Sequence, residues 1–295
     1  MIRLILSCAA LLTFPSAHAT PLRLITYNVL YGFNHGKARE IGPKWLAAQK
    51  PDIVALQELN GFTQTTLEQT ARQWNHDHAV ILKEKGFPVG LTANSEINIM
   101  EKRLNGMWHG YLHCQVKEIH LFVVHLSPSQ HAFRMHEAKL ISAKIKPLLA
   151  AGEPVIVFGD FNCNSPLDQR WLSSRPADRE PSDPEAAKRR AANADPHAAV
   201  MAQFLELGLV DLVHAKQPAT ELERGTFATR LLPNYRTNEQ REDKTWRIDF
   251  ILASPGLANH CTSARIPREK ETDLISDHYP VEAVIGDLNE PAEIK

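Results

Sequence analysis

The stretch Val155-Ile156-Val157-Phe158-Gly159-Asp160-Phe161-Asn162 constrains this chain more than any other. Its four leading residues are apolar without alternation, the pattern of a strand covered on both faces. The breaker Gly152-Glu153-Pro154 sets its start, and Gly159 marks a point where backbone bends or lies close to something. If extended geometry continues past the glycine, Asp160 and Asn162 point one way and Phe161 points back into the core. Such a strand needs packed layers on either side, and it delivers an acid and an amide to its far end.

Other segments repeat the theme. Leu22–Val29 and Asp52–Glu58 have buried-strand composition, with a helix expected between them over Lys37–Gln49 and a second over Thr65–Trp74. Short segments at Ala79–Leu82, Gly90–Ala93, Ile97–Met100, Tyr111–Val116 and Ile119–Leu126 have the spacing of antiparallel hairpins. An amphipathic helix over Arg134–Leu149 precedes the central strand. After it, Ser173–Pro196 is rich in proline and charge and is expected to be an exposed loop, with room for a short helix at Glu185–Ala192. A helix over Ala198–Leu207 capped by Gly208 follows, then strands at Trp246–Ala253, Cys261–Ile266 and Val281–Ile285. Hairpins mixed with helical crossovers imply one mixed α/β layered domain rather than a doubly wound sheet.

Several of these strands end in a polar group that their apolar patterning does not need. Asn28 shares a face with Leu24 and Thr26, Glu58 with Val54 and Leu56, and His125 with Val123 and Leu121. Asp249 sits between Ile248 and Phe250. Buried alone, each neutral group would cost about 1–3 kcal/mol and a charge more. Gathered at one edge, they satisfy each other and a cation. Asparagine and carboxylate oxygens without a cysteine–histidine cluster select Mg²⁺, with Mn²⁺ or Ca²⁺ as substitutes, over Zn²⁺. His76 and His78, in a short polar link, are expected in a solvated turn rather than on zinc.

Thr26-Tyr27-Asn28-Val29, Gln57-Glu58, Val124-His125-Leu126, Gly159-Asp160-Phe161-Asn162, Arg247-Ile248-Asp249 and Ser276-Asp277-His278-Tyr279-Pro280 occur in this order. Together they resemble the endonuclease/exonuclease/phosphatase family over roughly residues 22–286. The resemblance implies a four-layer α/β/β/α sandwich with two packed mixed sheets, and metal-dependent cleavage of phosphoester bonds. It matches Asn28 and Glu58 to metal-site residues and Asp277 to a further carboxylate on that side. Asp160 and Asn162 match the pair holding the nucleophilic water and a phosphoryl oxygen, and Asp249 and His278 the coupled acid and imidazole. His125 matches a second histidine found in the deoxyribonuclease and sphingomyelinase branches. Abasic-site nucleases carry an asparagine and a tyrosine in the segment that reads His125-Leu126-Ser127-Pro128 here, so the histidine-bearing branches fit better. In those branches an acid upstream orients the histidine, and Glu84 and Glu96 are the two candidates. The roles of the two histidines as base and acid stay open.

The implied function is phosphodiester hydrolysis, of nucleic acid, phospholipid or a small diester. A phosphomonoesterase on sugar or inositol phosphates is the alternative. A non-catalytic binding protein of the same fold would be expected to lack one of Glu58, Asp160, Asp249 or His278, and all are present. A structural or adhesion module gives no reason for complementary acids and imidazoles at strand ends. Lys+Arg number 33 against 34 Asp+Glu, a formal net charge of −1, so no basic tail argues for nucleic acid. Arg224, Arg230, Arg236 and Arg241 are the candidate phosphate contacts, and no interleaving of aromatic and basic residues signals strand stacking.

Met1-Ile2-Arg3, the apolar Leu4–Phe14 stretch and Ala17-His18-Ala19 have the form of a secretory signal, with residues 20–295 as the catalytic domain. The expected location is therefore the periplasm or the exterior, for a monomer without a transmembrane segment or an obligate protein partner. Beyond residue 19 the cysteines are Cys114, Cys163 and Cys261, so at most one intrachain bridge forms, and the sequence does not say which.

Overall fold

A computed structural model of the chain describes residues 21–168, 198–217, 225–237 and 245–288. The expected signal segment, the Ser173–Pro196 loop with its Glu185–Ala192 helix, and Arg224 and Arg241 lie outside these residues. Twelve strands form two six-stranded sheets among the described residues. The first sheet holds β1 (Leu22–Asn28), β2 (Ile53–Gln57), β3 (His78–Ile81), β4 (Gly90–Ala93), β11 (Cys261–Arg265) and β12 (Val281–Ile285), in the order β11-β12-β1-β2-β4-β3. The second holds β5 (Asn98–Arg103), β6 (Tyr111–Val116), β7 (Ile119–His125), β8 (Val155–Asp160), β9 (Val210–Asp211) and β10 (Asp249–Ala253), in the order β5-β6-β7-β8-β10-β9. Each sheet has one parallel pair, β1 with β2 and β7 with β8, and antiparallel pairs elsewhere.

Alternation along the strands builds the layers. Leu24, Ala55, Leu121, Val123, Ile156, Phe158 and Ile251 belong to the core between the sheets. Ile25, Tyr27, Val54 and Leu56 face outward, packing with Trp45 and Leu46 of α1 (Ile41–Gln49) and Leu67 and Ala71 of α2 (Gln64–Ala71). Phe122, Val124, Val155 and Val157 face the opposite way, onto Ala138, Ile141 and Ile145 of α3 (His131–Ala150). This is an α/β/β/α sandwich in one domain. The helix over residues 198–205 ends as expected, with Gly208 at φ +90° and its N–H on Leu205 O at 2.9 Å.

Most differences from expectation are at element ends. Asp249, not Trp246, starts β10, and residues 35–40 are turns before α1 rather than its first turns. His76 is buried, not solvated: its ring nitrogens lie 2.7 Å from Thr92 Oγ1 and 2.9 Å from Pro51 O. All three described cysteines are free and buried. No described helix is long and apolar enough to cross a membrane.

Gly159 stands opposite Val124 of β7 and Phe250 of β10 at φ +142°. A Cβ there would lie 2.0 Å from Val124 O, so any side chain must part β7 from β8. Gly159→Ala is expected to destabilise the protein by about 3 kcal/mol or more, read as a shift in the urea midpoint. Gly208→Ala, also at positive φ but with nothing within 4 Å of the new Cβ, should cost about 1–2 kcal/mol. Equal effects would remove the close-approach account.

Candidate active site

The inter-sheet face of the strands does not end in apolar residues at one rim. Continuing Leu24–Thr26 gives Asn28, Leu121–Val123 gives His125, and Ile156–Phe158 gives Asp160. In the parallel β7–β8 register His125 is opposite Asp160, and in the antiparallel β8–β10 register Asp249 is opposite Asp160 as well. Asp160 therefore has a functional neighbour on each flank. Glu58 departs from its expected face: alternation groups it with outward Val54 and Leu56, but a left-handed φ of +60° turns it back toward Asn28. Asn28 Nδ2 then donates to Glu58 Oε1 at 3.3 Å and, across the sheets, to Asp160 Oδ2 at 3.1 Å.

The turn before β12 closes the rim. Ser276 Oγ donates to Asn28 O at 2.6 Å and accepts from His278 N at 3.1 Å. Thr226 Oγ1 accepts from the N–H groups of Ile248 and Asp249 at 3.0 and 3.1 Å, fixing the start of β10. Behind it, the buried Arg247 pairs with Asp168 at 2.6 Å and Asp211 at 2.7 Å and stacks over Phe250. With β10 so held, His278 Nδ1 lies 2.9 Å from Asp249 Oδ2 and its Nε2 lies 3.9 Å from Asp160 Oδ2. His125 Nε2 approaches the same Asp160 oxygen to 3.6 Å.

Burial and charge push these groups apart. Burial lowers the His278 imidazole, but the Asp249 carboxylate more than reverses this, with Asp160 and Asp277 adding, and lifts it to about 10. The His125 imidazole falls well below its usual range through burial and the neighbouring histidines His109 and His278. Burial, then Asp249, raises the Asp160 carboxyl to about 7, and burial also raises Glu58. One rim thus holds a charged imidazole, a neutral imidazole and a surplus of carboxylates.

That surplus tests the expected metal. Glu58, Asp160, Asp249 and Asp277 supply hard oxygens, and Asp249 Oδ1 is buried without a hydrogen-bond partner among the described residues. Ligand atoms of Asp160, Asp249 and His278 lie within 4.8 Å of one another, but His278 Nδ1 is already committed to Asp249. The oxygen set fits a hard divalent cation. Asn28 serves this set through its nitrogen, while its oxygen accepts from Leu30 N at 3.2 Å.

Two sequence expectations need correction. Asn162 is not on an extended continuation of β8: it sits at φ +49°, its N–H bonds Asp160 Oδ1 at 2.8 Å, and its amide donates to Leu126 O at 3.0 Å. It braces the ends of β7 and β8. Neither Glu84 nor Glu96 orients His125, since Glu84 accepts from Gln64 N at the start of α2 and Glu96 is exposed. Instead His109 stacks on His125 with ring centroids 4.1 Å apart and planes 24° apart. No strand pattern marks His109, which arrives on a loop.

Glu137 was also missed, although an acid four residues before Ile141 on the apolar stripe of α3 was a legible signal. It is buried and accepts from Ser127 N and Trp108 N, both at 2.7 Å, tying the loops next to His125 and His109 together. Tyr31 and Phe87, which no strand pattern marks, meet with ring centroids 5.1 Å apart.

Similarity to known proteins agrees with this chemistry. The sequence matches the family described as Endonuclease/Exonuclease/phosphatase over residues 25–278. An AP endonuclease structure from Archaeoglobus fulgidus superposes with a TM-score of 0.67 at 21% identity, covering 90% of this chain and 99% of that one. The 3' phosphatase NExo from Neisseria, bound to product DNA hairpin, gives 0.64 at 21% identity, covering 90% and 99%. The 3'-5' exonuclease NExo from Neisseria meningitidis gives 0.62 at 21% identity, covering 90% and 100%. No curated protein matches the chain. Two packed mixed sheets with buried acids and imidazoles at one rim define a metal-dependent hydrolase of phosphoric esters. The chain belongs to the Endonuclease/Exonuclease/phosphatase family.

Burial lifts the Glu137 carboxyl to about 7, against the two N–H bonds and the Arg134 charge that pull it down from above its ordinary 4.5. The folded state therefore holds this proton more tightly than the unfolded state. The stability it contributes is complete below about pH 4.5 and is lost as pH rises through about 7, roughly 3 kcal/mol in all. Urea melts across that window should show a flatter pH dependence for Glu137→Gln than for wild type. Parallel curves would contradict it.

Proposed function

We propose that this protein hydrolyses phosphodiester bonds by in-line attack of water, with Mg²⁺ as its cation, acting as a single exported chain. One observation carries the reading: Asp160 sits between a neutral imidazole, His125, and an imidazole that Asp249 keeps charged, His278. Asp160 is positioned to align a water and accept its proton. His278, as an imidazolium near neutral pH, donates to an oxygen that gains negative charge, either phosphoryl or leaving. Asp249 holds that proton on the ring and fixes its direction through the 2.9 Å bond to Nδ1. His125, kept neutral, donates or accepts through Nε2 without adding a second positive charge beside His278.

Glu58 and Asp277 would hold the cation, with Asn28 aligning Glu58 against Asp160. Bound there, the cation supplies neutralisation of charge on the phosphoryl and leaving oxygens. Export rests on the form of residues 1–19. A phosphomonoesterase is the second reading, favoured by the 3' phosphatase among the structural relatives.

Asp160→Asn and His278→Ala are each expected to lower kcat at least about 100-fold on the best substrate of a Mg²⁺/Mn²⁺ panel, with unchanged circular dichroism. The panel comprises bis-p-nitrophenyl phosphate, p-nitrophenyl phosphate, plasmid DNA, sphingomyelin and inositol phosphates. Wild-type turnover in Asp160→Asn would refute the mechanism. EDTA should abolish activity, and Glu58→Gln should raise the Mg²⁺ concentration for half-maximal rate at least about 10-fold. Activity indifferent to EDTA would exclude a resident cation.

A further inference from the structure

The backbone leaving Asn28 enters an unusual turn. Leu30 to His35 all have φ between +43° and +71°, and only Gly32 among them lacks a Cβ. L-residues disfavour this left-handed region, so the turn persists because its surroundings hold it. Phe33 is buried in the outer core, Gly32 N donates to Glu58 O at 2.7 Å, and Tyr31 N donates to Glu58 Oε2 at 3.1 Å. The product is a pair of exposed rings beside the metal-side carboxylate. Tyr31 is 40% exposed and stacks on exposed His35 with centroids 4.6 Å apart and planes 16° apart.

The rings do not stop there. Tyr31 meets Phe87 at 5.1 Å, Phe87 meets His109 at 5.1 Å, and His109 meets His125 at 4.1 Å. Five rings from four separate segments thus run without a break from the surface to the imidazole beside Asp160. At the outer end, a cleft of about 670 Å³ is lined by Tyr31, His35, Lys37, Arg39 and Asn60. Its size is within the range of small-molecule sites, and its lining pairs flat rings with exposed cations. An acyl chain would leave the charges of Lys37 and Arg39 unmet, and a bare sugar phosphate would leave the stacked rings unused.

Resting on the phosphodiesterase reading, we propose that the Tyr31–His35 stack is a base-binding subsite for an unpaired nucleotide next to the scissile phosphodiester. Its planar base lies on the exposed rings, and Lys37 and Arg39 take an adjoining phosphate. Stacking of this kind tolerates any base, because every base has a π face. The substrate is then a nucleic acid strand with at least one unstacked nucleotide, not a lipid headgroup or an inositol phosphate.

The test compares two short single-stranded oligodeoxynucleotides, one with normal bases and one with abasic spacers throughout. Binding is read by fluorescence anisotropy in EDTA, so that it does not depend on turnover, and kcat/KM is read with Mg²⁺. Wild type should bind and cleave the base-bearing strand at least about 10-fold better than the abasic one. Tyr31→Ala and His35→Ala together should erase that preference through Kd and KM, and Tyr31→Phe should keep it. Equal binding of both strands by wild type, or a preference that survives the double alanine variant, would overturn the subsite. A wild type that cleaves glycerophosphodiesters and binds no oligonucleotide would do the same while leaving the phosphodiesterase reading intact. Base-dependent binding without hydrolysis of any ester would uphold the subsite and reject that reading.

Discussion

The rim chemistry depends on the pairing of β8 with β7 on one side and β10 on the other. That pairing places His125 and Asp249 level with Asp160, so one carboxylate is flanked by an imidazole and a second acid before any loop is considered. Gly159 permits it, because only a residue without Cβ lets the β7 carbonyl of Val124 come so close to β8. The apolar layer between the sheets then serves as the scaffold for catalysis. Its alternation runs straight from Leu24, Val123 and Phe158 into Asn28, His125 and Asp160.

Taking these polar ends out of water has an electrostatic consequence. Buried carboxylates outnumber the one imidazolium able to offset them, and Asp160 and Glu58 are both driven toward their neutral forms. A divalent cation held by those oxygens would relieve that tension. Burial lowers both histidines, and the Asp249 carboxylate against His278 reverses it there alone, which separates them into a charged one and a neutral one. Two imidazoles of equal chemistry thus differ in charge because one is bonded to Asp249 and the other stacks on His109.

Much of the precision lies in side chains that touch no reacting atom. Glu137 joins the loops following β7 and preceding β6, Thr226 receives the backbone of Ile248 and Asp249, and Arg247 ties β10 to Asp168 and Asp211. Each is a buried polar group that holds together segments from separate elements. Such networks rigidify the elements they join, because loss of one partner leaves the other desolvated and unpaired.

The strands, their buried character and their polar ends were legible in the sequence, since period-two alternation is a local property that burial imposes residue by residue. So were Asn28, Glu58, His125, Asp160, Asp249, Asp277 and His278 as candidates, each carried at a strand end or in a short motif. Local pattern misplaced what depends on single backbone angles: the left-handed turns at Glu58 and Asn162 send side chains where alternation would not. It was silent on His109 and on the rings of Tyr31, His35 and Phe87, which no spacing in the chain associates. Their meeting requires loops from both sheets to converge on one rim, and that convergence is a property of how the two sheets pack, which only the tertiary structure decides.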